Sequence, residues 1–71
     1  MVPVGKKGRI RSGDQQGWYV LVHDDSDSTG GYIIVTSADA DLKSGFDDWV
    51  EDAPSLEEYF READWDVEWI E

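Results

Sequence analysis

The chain of 71 residues has no cysteine, a single histidine and two prolines. Without cysteine it can form neither a disulfide nor a thiolate metal site. It also lacks any run approaching the roughly 20 apolar residues that a membrane-spanning helix requires. No apolar segment of signal-peptide length follows the basic residues near the N-terminus. We therefore expect a soluble, cytoplasmic protein without a membrane partner.

Basic residues are also scarce, since 6 Lys and Arg stand against 17 Asp and Glu, for a net charge of −11. The whole excess lies in the second half of the chain: residues 1–38 hold four acids and four bases, whereas residues 39–71 hold thirteen acids and two bases. Phosphate contacts require Lys and Arg, so direct nucleic-acid binding is not expected. Such a charge should instead attract a basic partner.

Apolar and β-branched runs predict the sheet. Two such runs flank a polar loop, which predicts an antiparallel hairpin. A shorter basic segment precedes them, and we expect it to form an edge strand whose cations discourage edge-to-edge pairing. After the acidic region, Trp65, Val67 and Trp69 alternate with acids, which predicts a closing strand paired with the hairpin. The expected strands lie at about residues 8–11, 17–23, 31–37 and 65–70.

A helix is predicted over about residues 55–64. Ser55 and Glu58 have the spacing of a capping box, which predicts the start of the helix. An apolar stripe of helical period follows, formed by Leu56, Tyr59, Phe60 and Ala63. The segment 46–50 is ambiguous, because its apolar residues fit either one helical turn or an extended segment pinned by Trp49. The expected fold is therefore α+β: a small antiparallel sheet of three to four strands packed by one short amphipathic helix. A single domain, 1–71, should begin with a loose leader at residues 1–5.

Residues with catalytic or metal-binding chemistry are few. His23 is followed by carboxylates, but the chain has no Gly-x-Ser-x-Gly elbow and little room for a water-excluding cleft. Asp25, Asp27 and Thr29 resemble the opening of a calcium loop, yet the twelfth position of that loop is Thr36 and not the required Glu. We expect no enzyme and no cofactor, and calcium binding is the least favoured alternative.

The remaining functional signal combines acids with aromatic residues after residue 45. Carboxylates around an aromatic anchor suit recognition of a basic surface, because charge steers the encounter and a buried ring anchors it. The leading hypothesis is a protein-binding module, such as an inhibitor, an immunity protein or a DNA mimic that docks on a nuclease or a nucleic-acid-binding protein. The expected contact residues are Asp47, Asp48, Trp49, Glu51 and Asp52, followed by the helix acids Glu57, Glu58 and Glu62.

Two other interpretations stay open from the sequence. Trp65, Val67 and Trp69 could face a second copy, which would make the chain a self-associating structural domain with no catalytic role; monomer and homodimer are both compatible with the pattern. Alternatively, the aromatic residues form the core and the carboxylates serve only solubility. Concentration of the excess charge in less than half of the chain favours the binding hypothesis over the solubility one.

Overall fold

Backbone pairing joins five strands of the chain into one antiparallel sheet. The computed structural model describes residues 2–70. Its elements are β1 (Lys7–Ile10), β2 (Tyr19–Asp25), β3 (Gly31–Ser37), β4 (Phe46–Val50), α1 (Ala53–Ala63) and β5 (Val67–Trp69). The strand order is β4-β3-β2-β1-β5. An antiparallel sheet with one helix confirms the α+β class, and the elements form one compact domain. Within residues 2–70, no helix has the length and apolar character needed to cross a bilayer.

The β2–β3 hairpin forms the centre of the sheet. Val22 is paired with Ile34, and both side chains are buried on the face that α1 covers, which we call the helix face. Since side chains alternate along a strand, the intervening residues Leu21 and Val35 lie on the opposite, open face. Ile10, Val20 and Leu56 complete the buried core on the helix face. The hairpin was predicted at nearly these bounds, and β3 at the same ones.

β1 is an interior strand, so the prediction of an edge strand was wrong. It pairs with β2 on one side and with β5 on the other, and β5 therefore does not pair with the hairpin. Gly8 explains how β5 fits there: a Cβ atom at this position would lie 2.5 Å from Cγ1 of Val67 and 2.8 Å from Cε3 of Trp69. The missing side chain makes room for both residues on the helix face.

β4 is a fifth strand, one more than the upper limit of the sequence prediction. It pairs with β3 from Tyr32↔Val50 to Thr36↔Phe46 and forms one edge of the sheet. The spacing of its apolar residues fitted a helical turn equally well. Pairing with β3 resolves the ambiguity, because it satisfies backbone groups that a short isolated turn would leave to water.

The helix begins two residues earlier than predicted, and its cap is Asp52. The Asp52 side chain accepts a hydrogen bond from the backbone N–H of Ser55 at 2.9 Å, so the capping box at Ser55 was wrong. Pro54 is compatible with this start because the first turn of a helix needs no N–H donors. At the other end, Asp64 has a left-handed conformation (φ 57°), and its N–H is bonded to carbonyls of the last turn.

The described part of the N-terminal segment contacts both layers of the domain. Met1, part of the expected leader, and Glu71, one of the thirteen acids of the second half, lie outside the described residues. The backbone N–H of Val2 donates to Oε2 of Glu57 at 2.6 Å, and the side chain of Val2 packs against the core. Gly5 N–H donates to the carbonyl of Val22 at 2.8 Å.

Candidate functional site

Trp49 is a large, half-exposed side chain held in a defined position on the open face. It lies in β4 opposite Ile33 and is 51% exposed. Its indole N–H donates a hydrogen bond to Oγ1 of Thr29 at 2.8 Å. The ring lies against Gly31, where a Cβ atom would come within 2.7 Å of the indole. Thr29 and Gly31 therefore orient the ring while half of its surface stays in solvent.

A shallow cavity of about 310 Å³ adjoins this ring. It is lined by Thr29, Ile33, Asp47, Asp48 and Trp49. Asp47 precedes Trp49 by two residues in the strand, so both side chains lie on the open face. The cavity thus brings an aromatic surface, an aliphatic side chain and an exposed carboxylate together. This combination suits a long cationic side chain, whose methylene groups pack on rings while its charge meets a carboxylate.

Asp48 also lines the cavity, but its carboxylate lies on the helix face of β4 and links this strand to the helix. Its Oδ2 accepts a hydrogen bond from the Tyr59 hydroxyl at 2.6 Å. Partial burial, together with this hydrogen bond and the nearby carboxylate charge, raises the pKa of Tyr59 to about 12. Tyr59 therefore stays protonated and keeps donating at neutral pH. Asp48, expected to contact a partner, is already engaged within the molecule.

Glu51 and Asp52 form the turn between β4 and α1, and both are exposed. Hydrogen bonds from the side chain and the backbone N–H of Ser55 hold the pKa of Asp52 below its ordinary value. Asp52 is therefore ionised at neutral pH while it caps the helix. Together with Asp47 and Trp49, these two residues make up what we call the Trp49 surface: Asp47, Trp49, Glu51 and Asp52.

The helix acids differ in their availability. Glu57 is half-buried and accepts the N–H of Val2. Glu58 forms an ion pair with Arg61 on the next turn. Glu62 is exposed on the solvent side of α1. Glu57 and Glu58 therefore have partners within the chain, whereas Glu62 and the residues of the Trp49 surface are exposed.

The carboxylates of the second half do not form one patch. β4 and β5 lie at opposite edges of the sheet, and each carries acids. At the β5 edge, Glu68 lies 4.0 Å from a guanidinium nitrogen of Arg11. Lys7 and Arg9 of the neighbouring β1 project on the open face, because they alternate with buried Gly8 and Ile10. The open face is therefore basic near β1 and acidic at the β4 edge. The Trp49 surface lies at this acidic edge, where carboxylates accompany an exposed ring.

The residues of the calcium hypothesis have other partners. The Thr29 hydroxyl bonds to Trp49, and Oδ1 of Asp25 lies 3.8 Å from Nε2 of His23. Asp27 is exposed in the loop between the two strands. Within residues 2–70, no three or more His, Asp or Glu side chains are grouped so that they could hold a metal ion.

Trp65 and Trp69 do not face outward, as a dimer built on those rings would require. Both contact Phe60 of the helix, with ring centroids 5.3 Å and 6.1 Å apart, respectively.

Thr29, Gly31 and Ile33 were not predicted from the sequence as neighbours of Trp49. Only their place in the hairpin could be read from the sequence, since the strand that brings Trp49 to them was not recognised.

Comparisons with protein-family models, curated proteins and solved structures found no match to this chain.

Proposed function

We propose that this chain is a binding module that docks its Trp49 surface on a basic protein. The observation that carries the proposal is the half-exposed indole of Trp49, fixed by Thr29 and Gly31 and accompanied by exposed carboxylates. Aromatic residues supply much of the energy at protein interfaces, and surrounding polar groups exclude water from them. A ring that is already ordered loses little side-chain entropy when it is buried by a partner.

Charge supports a cationic partner. Asp47, Glu51 and Asp52 surround Trp49 in the chain and are exposed. A lysine or arginine placed on the indole would meet the Asp47 carboxylate in the same cavity and gain a cation–π contact as well, while Glu51 and Asp52 add negative charge just beyond the end of the strand. The partner class that fits is a nuclease or another nucleic-acid-binding protein, because the substrate groove of such a protein is lined with cations. Carboxylates that occupy this groove in place of phosphates would make the chain an inhibitor or immunity protein.

Capture at low ionic strength from the lysate of the source organism tests the proposal. The wild-type protein should retain a basic protein that elutes as salt rises, and the isolated partner should associate more slowly at higher salt. The triple variant Asp47→Asn, Glu51→Gln, Asp52→Asn should lose most of this retention. Asn at position 52 keeps an efficient helix cap, so the variant should stay folded.

A matched control removes the same amount of charge elsewhere. The variant Asp14→Asn, Asp27→Asn, Asp66→Asn neutralises three exposed carboxylates that lie outside the Trp49 surface. It should retain the partner nearly as well as the wild type. Equal loss in both triple variants would show that net charge alone attracts the partner. An association rate that does not change with salt would contradict the proposal directly.

A further inference from the structure

The outer edge of β4 offers unpaired backbone groups. β4 pairs with β3 on one side and, within residues 2–70, has no strand on the other. Four of its five residues, Phe46 to Trp49, are exposed. An edge of this kind presents N–H and C=O groups that can accept another strand. The opposite edge is shorter, since β5 has three residues.

Large exposed rings flank the β4 edge on both faces of the sheet. Trp49 lies on the open face, whereas Phe46 lies on the helix face, where it is 66% exposed and stacks on Trp18 at a centroid distance of 6.0 Å. An added strand would place alternate side chains beside these two rings. The edge therefore combines backbone pairing sites with apolar contacts on either side.

Charge decides which segment fits there. Asp47 and Asp48 are adjacent in β4, and Glu51 and Asp52 follow the strand directly. Pairing of two β4 strands from two copies would bring these like charges together, which opposes self-association. A segment with lysine or arginine at alternate positions would instead place these cations on the open face, next to the Asp47 carboxylate. The edge is thus selective for a basic strand over a second copy.

We propose that an extended basic segment of the partner adds to β4 as a sixth strand. This inference rests on the proposed function and specifies how the partner binds. Cationic side chains of the segment lie on the open face next to Asp47 and Trp49, and apolar ones lie on the helix face next to Phe46 and Val50. Backbone hydrogen bonds provide the affinity, and the alternation of side chains provides the specificity.

A pair of synthetic peptides tests this mode of binding. The first is a short acetylated peptide of alternating lysine and valine, and the second has the same sequence with N-methylated backbone amides. The two have equal charge, but only the first can donate hydrogen bonds to a strand edge. We expect the methylated peptide to bind at least about tenfold more weakly, and amides of β4 that exchange rapidly in the free protein to slow about tenfold with the first peptide.

Two protein variants locate the contact. Trp49→Ala should weaken binding of the unmethylated peptide, whereas Ile70→Ala should not, since Ile70 is a similarly exposed apolar residue at the β5 edge. Slower exchange at β5 instead of β4 would place the peptide at the wrong edge and overturn the inference. Protection of β4 that grows with protein concentration alone would show that a second copy is the occupant, which also overturns it.

The peptide results are separable from the proposed function. Equal affinity for both peptides would overturn strand addition and leave docking by charge and the Trp49 ring intact. Failure of the unmethylated peptide to bind would also overturn strand addition by a basic segment. The proposed function would in that case be decided by the lysate capture alone, since it requires a basic partner but no particular backbone geometry.

Discussion

At the residue scale, Trp49 and Gly31 depend on each other. Gly31 is buried, and a side chain there would overlap both the carbonyl oxygen of Val50 and the indole ring. A glycine under an aromatic ring on the neighbouring strand lets the ring cover the backbone, which compensates for the side chain that glycine lacks. The exposed indole is therefore positioned by a residue that no binding partner would touch.

Replacement of Gly31 by alanine should destabilise the domain and displace Trp49. The added methyl group forces the β3 and β4 backbones apart, and overpacking of this kind costs about 1–3 kcal/mol. Urea unfolding monitored by circular dichroism measures the loss, and a shift of indole fluorescence reports the moved ring. Ser28→Ala, in the exposed loop next to Thr29, should change neither quantity appreciably. An unchanged unfolding midpoint in Gly31→Ala would contradict the contact.

The free energy of unfolding should fall as pH rises in the alkaline range, because of Tyr59. Its folded-state pKa is raised to about 12 from the ordinary value of 10.0. Between these two values the unfolded chain releases this proton first, so the contribution of Tyr59 is complete below pH 10 and is lost as pH rises to about 12. Tyr59→Phe removes this dependence and the hydrogen bond to Asp48, at a cost of about 0.5–1.5 kcal/mol near neutral pH.

Urea midpoints of the wild type and of Tyr59→Phe, measured across pH 9–12, test this pH dependence. The stability difference between the two proteins should shrink as pH rises, because only the wild type loses the Tyr59 contribution. Tyr19 and Tyr32 are present in both and cancel in the difference. A difference that stays constant with pH would show that Tyr59 titrates alike in the folded and unfolded states.

At the element scale, β4 and α1 act as a connected unit. The Tyr59–Asp48 hydrogen bond joins their side chains, and Asp52 ends the turn between them while capping α1. Asp52 therefore has two roles, helix capping and attraction of a basic partner, and only the second depends on its negative charge. The cap needs an oxygen acceptor, whereas attraction of a basic partner needs the negative charge.

Substitutions at Asp52 should separate these roles. Asp52→Ala should lower the helix content and the thermal midpoint, since the Ser55 N–H loses its acceptor, while Asp52→Asn should keep both close to wild type. The pKa of Asp52 is lowered in the folded state, so the wild type should lose this contribution as pH falls from above the ordinary value of 3.8 through the folded pKa. Circular dichroism melts at neutral and acidic pH measure both effects. Equal melting of the two variants would mean that the cap contributes nothing.

At the scale of the whole molecule, a net charge of −11 on a small domain opposes the compact state. Lys7 and Arg9 lie on the open face in β1, whereas acids occupy the β4 edge, the helix and the loops. Few of the acids are paired with a base: Glu58 with Arg61, Asp41 with Lys43 and Glu68 with Arg11 are the close Lys or Arg pairs within residues 2–70. Repulsion among the remainder is therefore poorly compensated.

Stability should consequently rise with salt. The screening length falls from about 30 Å at 0.01 M to about 3 Å at 1 M, so repulsion between exposed carboxylates weakens across this range. The urea midpoint in sodium chloride should increase, and the variant Asp14→Asn, Asp27→Asn, Asp66→Asn should start higher and respond less. A midpoint that is flat or falls with salt in the wild type would show that attractive pairs outweigh the repulsion.

The elements that sequence reasoning predicted well are those whose pattern is local. The β2–β3 hairpin has two apolar runs around a polar loop, and α1 has the stripe from Leu56 to Ala63. β4 was left ambiguous because Phe46, Trp49 and Val50 satisfy a helical period and a strand alike. The helix start was missed because Asp52 and Ser55 are both good caps, and only the conformation of the chain leaving β4 favours the first.

The sequence by itself determined the composition of the two halves and the large negative charge, because these are sums over residues. It also determined the hairpin and the apolar stripe of the helix, because each follows from residues near one another in the chain. The tertiary structure decided the neighbours: that β1 lies inside the sheet, that β4 forms one edge, and that Trp49 lies on Gly31 within reach of Thr29. Strand order and edge position depend on contacts between residues far apart in sequence. No local period encodes them, and they decide which carboxylates lie beside an exposed ring.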